Sequence, residues 1–313
     1  NILLEACCRK LRNKVIEMER GVVTEIGRSS TLRKVAFYAV GVAAYSLIAV
    51  FVKNSEEFGN HIALPSDLHA AFTLVLGWLL VFRTNSSYAR WWEARQLWGA
   101  LVNVSRNMAI KVADLCKAGD GELNKFRIEI VAFAYGLKDH LRNESQLQKL
   151  DGFEACNDHP SHVPSYLITR MYEEIGSWKS DGFIDGDDLI VLDAEARQFL
   201  DICGGCERIR NTRVVRSYRT FARQCVGLYL ITFPWGVVDS CRWWTVPLTA
   251  IVAYFMLGLE TVAEHVEEPF GYDEDDLDLD GLCKTIAITV QEVFDRRLAR
   301  GDAASVNDTL TRG

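Results

Sequence analysis

The densest group of side chains that could do chemistry is an acidic tract near the C-terminus. Glu264–Asp280, read as EHVEEPFGYDEDDLDLD, holds nine carboxylates in 17 residues. Carboxylate and carbonyl oxygens are the ligands that Ca²⁺ prefers. Asp276, Asp278 and Asp280 resemble the first, third and fifth positions of an EF-hand loop, but Ala287 replaces the glutamate that the twelfth position requires. The tract is therefore either a solvated segment or a Ca²⁺ site of another kind.

Cysteine and histidine give weaker signals. The nine cysteines are irregularly spaced and include one CxxC pair, Cys203 and Cys206, without the second pair of a zinc site. We interpret this pair as small residues that pack a helix. His159 and His162 lie in a Pro-flanked segment that offers no further ligand signal. Because the nucleophile, metalloprotease, phosphate-loop and dinucleotide motifs are also missing from the sequence, it predicts a protein that is not an enzyme and requires no cofactor.

An apolar stripe is the third feature. Leu74, Trp78 and Phe82 recur every four residues, so they share one face of a helix. In a single protomer this face would contact lipid or a core. If several protomers surround an axis, the same residues would form stacked apolar rings, and such constrictions can gate by dewetting. The spacing alone leaves both interpretations open.

Four apolar runs in the sequence predict the helices that position these residues. Val35–Val52 and Trp243–Leu259 are 18 and 17 residues without a charge, and Ala70–Phe82 and Cys225–Val238 are shorter. About 20 residues at about 1.5 Å each cross the hydrocarbon core of a bilayer. We predict membrane helices at about 35–53, 68–90, 224–239 and 243–260. The alternative for such runs is a buried helix of a soluble core.

Charge gives the orientation of these helices. Basic residues cluster before the first run, after the second and before the third, whereas the link between the first two runs carries Glu56, Glu57 and Asp67. By the positive-inside rule, both termini are cytoplasmic. The remaining segments, about 91–223 and 261–313, have helical periodicity and form a predicted cytosolic body. The net charge of −7 excludes a dominant basic face, so no nucleic-acid partner is expected.

Three motifs resemble the bestrophin family, especially its bacterial-type members, and they follow the family's order. They are FRTNSSYARWWEARQLWGALVNVSRN at 82–107, CGGCERIRNT at 203–212, and FPWGVVDS at 233–240 followed by ETVAEHVEEPFG at 260–271. The resemblance extends over about Lys34–Asp280. It implies an all-α integral membrane protein, folded as a single channel domain over the whole chain, with four membrane helices per protomer and a homopentameric pore.

The resemblance also implies site residues. In the family, three apolar residues four apart line the pore neck shortly before an Arg-Trp-Trp motif. Placing Arg90-Trp91-Trp92 on that motif puts the neck at the Leu74, Trp78 and Phe82 stripe. Animal members bind Ca²⁺ in a clasp after an Asn-Pro-Phe-Gly sequence, where this chain has Glu268 in place of the Asn. The implied clasp consists of His265, Glu268, Asp273, Asp275 and Asp276.

The expected function is therefore an ion channel surrounded by membrane lipids, in a plasma, inner or organelle membrane. Known members of the family conduct chloride and other small anions, including bicarbonate, whereas some bacterial members pass monovalent cations. A non-conducting membrane scaffold is a further alternative. A soluble helical enzyme whose apolar runs form its core is the alternative from outside the family.

Overall fold

The computed structural model describes residues 29–55 and 66–311, and every regular element within these ranges is a helix. The all-α prediction is thus confirmed. The α-helices are α1 (Ser30–Lys53), α2 (Ser66–Leu115), α3 (Asp120–Leu141), α4 (Val163–Ser180), α5 (Gly186–Asn211), α6 (Arg216–Cys241), α7 (Thr245–Glu267) and α8 (Leu279–Thr311). Short 3₁₀ turns occupy Leu147–Lys149 and Arg242–Trp244. Glu56 and Glu57 lie outside the described residues.

Local sequence explains where several helices begin and end. The Ser29 hydroxyl accepts the Leu32 N–H and caps α1. Asp185 and Asp188 form a capping box at the start of α5. Gly182, with φ +75°, takes the left-handed conformation that ends α4. The Phe183 N–H donates a hydrogen bond to the Trp178 carbonyl at 2.8 Å.

The chain divides into two compact units. The first unit runs up to Tyr88 and includes Val214–Glu267, and the second comprises Ala89–Arg213 and the residues after Glu267. Helix α6 starts at Arg216 and α7 continues to Glu267, so both helices extend beyond the predicted membrane segments at about 224–239 and 243–260. Both extensions carry charged residues that pair with one another inside the first unit.

In the first unit, α1 packs against α6 and α7, which also pack against each other. Its core is apolar and includes Leu76, Leu80, Leu230 and Phe233. Two segments, Ser30–Lys53 and the α6–α7 pair, are long and apolar enough to cross a membrane, by length and composition alone.

Gly236 permits a close approach within the first unit. A Cβ at this position would stand 2.5 Å from Nδ1 of His69, a side chain that is buried. Every other residue type carries a Cβ, so only glycine lets the backbone of α6 lie this close to the start of α2.

The second unit is a helical body with its own core. Helix α3 packs against α4 and α8, and α4 packs against α5. Aromatic pairs fill the centre: Phe126 and Trp178 rings lie 4.9 Å apart, and Phe133 and Phe199 rings lie 5.0 Å apart. The side chain of Trp98 is fully buried in the same core.

The CxxC pair belongs to this core. Cys203 and Cys206 are free, buried thiols, and burial raises the pKa of Cys203 to about 12. A Cβ on the intervening Gly205 would stand 2.9 Å from Leu97 Cδ1. These small residues therefore let α5 lie close to α2, and the interpretation of the pair as packing residues agrees with the structure.

Candidate functional site

The apolar stripe lies on an uncovered face of α2. Leu74, Trp78 and Phe82 expose 66, 62 and 59% of their surfaces within the first unit. The Trp78 and Phe82 rings contact each other, with centroids 5.9 Å apart. The other side of the same helix packs inward, where Leu76 and Leu80 are buried. The helix thus presents three large apolar side chains, one above the other, to whatever surrounds the protomer.

Arg83 follows the stripe directly but points to the opposite side of α2. Its side chain is fully buried, and its Nε donates to Glu260 Oε2 at 2.7 Å. Its Nη1 also lies 3.5 Å from Glu267 Oε2. The guanidinium is therefore compensated within the first unit and adds no free charge to the stripe.

Arg223 extends this charged cluster. Its Nε donates to Glu260 Oε1 at 3.2 Å, and its second guanidinium nitrogen pairs with Glu264. Glu260, Glu264 and Glu267 recur on one face of α7. Two arginines thus face three glutamates. Sequence reasoning missed this cluster because it counted Glu264 and Glu267 as part of the acidic tract. Two features of the sequence could have indicated the cluster. The three glutamates have helical spacing, and an arginine interrupts an apolar helix.

The loop between α7 and α8 lies in the second unit and is organised by arginines. Arg142 donates to the carbonyls of Phe270 and Gly271 at 3.2 and 3.1 Å, and to Asp280 at 3.2 Å. Its guanidinium also stacks 4.1 Å from the centre of the Tyr272 ring. Lys138 donates to the other Asp280 oxygen at 2.9 Å, and these bonds lower the pKa of Asp280 below its ordinary value.

The predicted Ca²⁺ ligands make other contacts in this structure. His265 lies in the first unit, with Nδ1 3.4 Å from the Thr31 hydroxyl. Glu268 pairs with Arg213 at 2.6 Å. Asp276 accepts the Asp273 N–H at 2.6 Å, as a turn-forming aspartate does.

Asp275, the last of the five, contributes its backbone carbonyl to a hydrogen bond from the Trp91 indole at 3.1 Å. Only one set of three potential metal-binding side chains comes together among the residues that the structure describes, and it lies elsewhere, at His140, His162 and Glu207. Guanidinium groups already bind the Phe270 and Gly271 carbonyls and the Glu268 carboxylate, so these oxygens are not available to a Ca²⁺ ion in this arrangement. Ca²⁺ binding stays a prediction.

An arginine-lined cavity borders this loop in the second unit. Four guanidinium groups line it, with Glu268 as the one carboxylate among its walls; they belong to Arg90, Arg142, Arg210 and Arg213. Arg90 donates to the carbonyls of Ile209 and Thr212, and Arg210 donates to the carbonyl of His140 at 2.8 Å. Arg142 pairs with Asp280 and Arg213 with Glu268, whereas the contacts of Arg90 and Arg210 to carbonyls do not cancel their charge. The lining of the cavity is therefore richer in cations than in carboxylates.

The Arg-Trp-Trp motif has several structural roles. Arg90 anchors the C-terminal end of α5 through its two carbonyl contacts. Trp91 holds the acidic loop through its indole N–H, whereas Trp92 is 48% exposed. Trp98 fills the core.

Comparisons with known proteins agree with this architecture. Residues 11–292 match the family described as "Bacterial/Fungal Bestrophin protein". The "Voltage-dependent anion channel-forming protein sll1024" of Synechocystis is 29% identical over 283 residues, covering 85% of this chain and 89% of that protein. The protein of the same description named alr2987, from Nostoc, is 31% identical over 235 residues, covering 71% of this chain and 75% of that protein.

Solved structures give the same result. A crystal structure of a bacterial bestrophin homologue from Klebsiella pneumoniae, carrying a point substitution, superposes with a TM-score of 0.78 at 25% identity. The match covers 83% of this chain and 99% of that one. The helical architecture of this chain is therefore one that has been observed experimentally.

Proposed function

Because this chain belongs to the bacterial and fungal bestrophin family, we propose that it forms a homopentameric membrane channel for chloride and other small anions, including bicarbonate. Membership also identifies a membrane channel protein and not an enzyme, as the sequence predicted. The names of its relatives as anion channel-forming proteins support the choice of anions.

One observation carries the pore proposal. The Leu74, Trp78 and Phe82 stripe is large, apolar and uncovered, while the charge of Arg83 is buried on the other side of the helix. Five copies around an axis would turn the stripe into three apolar rings. Water leaves a sufficiently narrow apolar ring, which blocks ions until the ring widens. The bulk of Trp78 makes the middle ring the proposed constriction.

Two contacts in the first unit support a hairpin arrangement of membrane helices. Lys53, at the end of α1, lies 2.9 Å from Asp239, near the end of α6. Thr31, at the start of α1, lies 3.4 Å from His265, near the end of α7. Helices α1 and α6 thus end at one level, and α1 begins where α7 ends. This alternation fits four crossings by α1, the first part of α2, α6 and α7, with both termini cytoplasmic.

The proposed channel needs no cofactor. The arginine-lined cavity supplies positive potential without a metal, and Arg142 already provides the cation that the carbonyls of the acidic loop require. We therefore place the attraction of anions in the second unit and the gate in the first. Lipids of the membrane and other copies of the chain are the expected partners.

The direct test is reconstitution of the purified chain into planar bilayers with a tenfold gradient of KCl. An anion channel gives a reversal potential near the equilibrium potential of Cl⁻. A value near that of K⁺ would establish the cation-permeable alternative. Absence of current from verified proteoliposomes would favour the non-conducting scaffold. Replacing chloride by bicarbonate on one side then measures the relative permeability of the two anions.

A further inference from the structure

Two histidines and a glutamate meet in the second unit. His140 lies in the last turn of α3, His162 precedes the first residue of α4, and Glu207 lies near the end of α5. Nε2 of each histidine is 2.7 Å from the same Glu207 oxygen, Oε1. The two imidazole rings have centroids 4.5 Å apart. Three helices thus bring three potential ligands to one point.

We propose that His140, His162 and Glu207 form a binding site for a transition-metal dication, with Zn²⁺ as the representative ion. Two imidazole nitrogens and one carboxylate oxygen are a donor set that suits Zn²⁺, which leaves a fourth tetrahedral position for water. The three ligand atoms all lie within 4.8 Å of one another. Ligands at about 2.0–2.1 Å from a tetrahedral ion are themselves roughly 3.3 Å apart. The 2.7 Å contacts therefore need to open only slightly to admit the ion.

Access and charge also suit a metal. The side chains of His140, Glu207 and His162 are 16, 28 and 34% exposed, so the site is shielded but open to solvent. The Glu207 carboxylate already contacts Nε2 of both rings at hydrogen-bond distance. Arg210, one turn after Glu207, instead donates to the His140 carbonyl at 2.8 Å, which fixes the end of α3 beside α5. This second contact holds the ligand-bearing helices in place.

Occupancy of the site is coupled to the cap of α4. The Ser165 N–H donates to His162 Nδ1 at 3.1 Å, so in the metal-free ring Nδ1 accepts and Nε2 carries the proton that faces Glu207. A neutral imidazole that binds a metal through Nε2 carries its proton on Nδ1, so metal binding requires the proton to move from Nε2 to Nδ1. The Nδ1 atom then can no longer accept the Ser165 N–H, and the cap hydrogen bond is lost.

The test uses the whole purified protein in detergent, with any histidine tag removed. Titration calorimetry with Zn²⁺ is expected to show one saturable site per chain. Glu207→Gln and His162→Ser should each weaken binding at least about tenfold, since even outer-shell changes cost 10–100-fold. His162→Ser retains a side-chain cap for α4, so it removes the ligand without removing the helix start. His159→Ala is the matched control, because His159 contacts Gln148 instead of the cluster.

Two further measurements identify the ligands without relying on variants. Co²⁺ should give the visible bands of a tetrahedral nitrogen and oxygen site. A thiolate-to-metal charge-transfer band would place the ion at a cysteine and overturn the proposal. Hydrogen exchange at the first turn of α4 should increase when Zn²⁺ binds. The proposal is wrong if the wild-type protein does not bind one Zn²⁺ ion saturably, or if Glu207→Gln binds it equally well. Either result would show that the three side chains only form hydrogen bonds with one another.

Discussion

Arg83 and Glu260 form a buried ion pair, with 2.7 Å between Nε and Oε2, inside the apolar first unit. The Arg83 side chain has no exposed surface and that of Glu260 is 9% exposed. The charge of Arg83 is therefore enclosed within the first unit. Arg83 ties α2 to α7 immediately beyond the last residue of the proposed neck.

Arg83→Met should destabilise the protein by roughly 3–5 kcal/mol, because it leaves the Glu260 and Glu267 carboxylates buried with less compensation. The measurement is thermal or denaturant unfolding in detergent. Lys53→Met is the control: its partner Asp239 is 56% exposed, so a loss of only about 0–1 kcal/mol is expected. Equal effects of the two variants would contradict the importance of burial.

Trp78→Ala should raise current several-fold at a given voltage, because a smaller side chain widens the proposed middle ring and keeps it hydrated. Single-channel recording separates conductance from open probability. Phe72→Ala removes another exposed aromatic from the same helix but about 120° away from the stripe. Currents that respond equally to both substitutions, or to neither, would place the gate elsewhere.

Arg142→Ala should loosen the loop that follows α7, since it removes charge-assisted hydrogen bonds to Phe270, Gly271 and Asp280. Such bonds contribute roughly 1.5–3 kcal/mol each when buried. Hydrogen exchange over residues 268–280 is expected to accelerate. Arg213→Ala, whose ion pair with Glu268 is half-exposed, should have a much smaller effect.

The same loop makes a prediction about calcium. Wild-type current should be the same with Ca²⁺ and with a chelator, because guanidinium groups occupy the Phe270 and Gly271 carbonyls and the Glu268 carboxylate. Currents that disappear on chelation and return with Ca²⁺ would show instead that the loop rearranges into a clasp.

Glu129 should make stability depend on pH. Burial raises the pKa of this carboxyl to about 7, although Arg170 lies 3.2 Å away and opposes the shift. The folded protein therefore binds a proton more tightly than the unfolded chain, and stability falls as the pH rises from about 4.5 to about 7. Glu129→Gln should remove this slope. The difference in the free energy of unfolding between the variant and wild type should then be about 1–3 kcal/mol more favourable to the variant at pH 8 than at pH 4. Denaturant unfolding measured between pH 4 and pH 8 tests this prediction. Glu174→Gln is the control, because Glu174 is a nearby carboxylate that pairs with Lys125.

Periodicity and local signals in the sequence predict much of the helical architecture. The charge-free run from Val35 lies within α1, and the stretch after Phe82 continues as helix α2 to Leu115. What the sequence does not reveal are partners brought together over long separations. Arg83 and Glu260 are 177 residues apart, and His140 and Glu207 are 67 apart, so no local pattern links them.

The acidic tract shows how composition conceals separate roles. Its first residues continue α7 and pair with arginines of the first unit, its middle forms the loop held by Arg142, and Asp278 caps α8 by accepting the Gly281 N–H at 2.8 Å. A count of carboxylates treats all of these alike. Similarly, His159 and His162 are indistinguishable in the sequence, yet only His162 reaches Glu207.

The close approaches at Gly205 and Gly236 bear on how this protein can evolve. Every replacement for glycine adds at least a Cβ. This atom would lie 2.9 Å from Leu97 Cδ1 at position 205 and 2.5 Å from His69 Nδ1 at position 236. Both lie in motifs that resemble those of the family. Substitution at these two positions is thus restricted by the neighbouring side chains, whatever ion the channel carries. Such motifs therefore record the ancestry of the scaffold, while permeant-ion preference can diverge through side chains that remain free to vary.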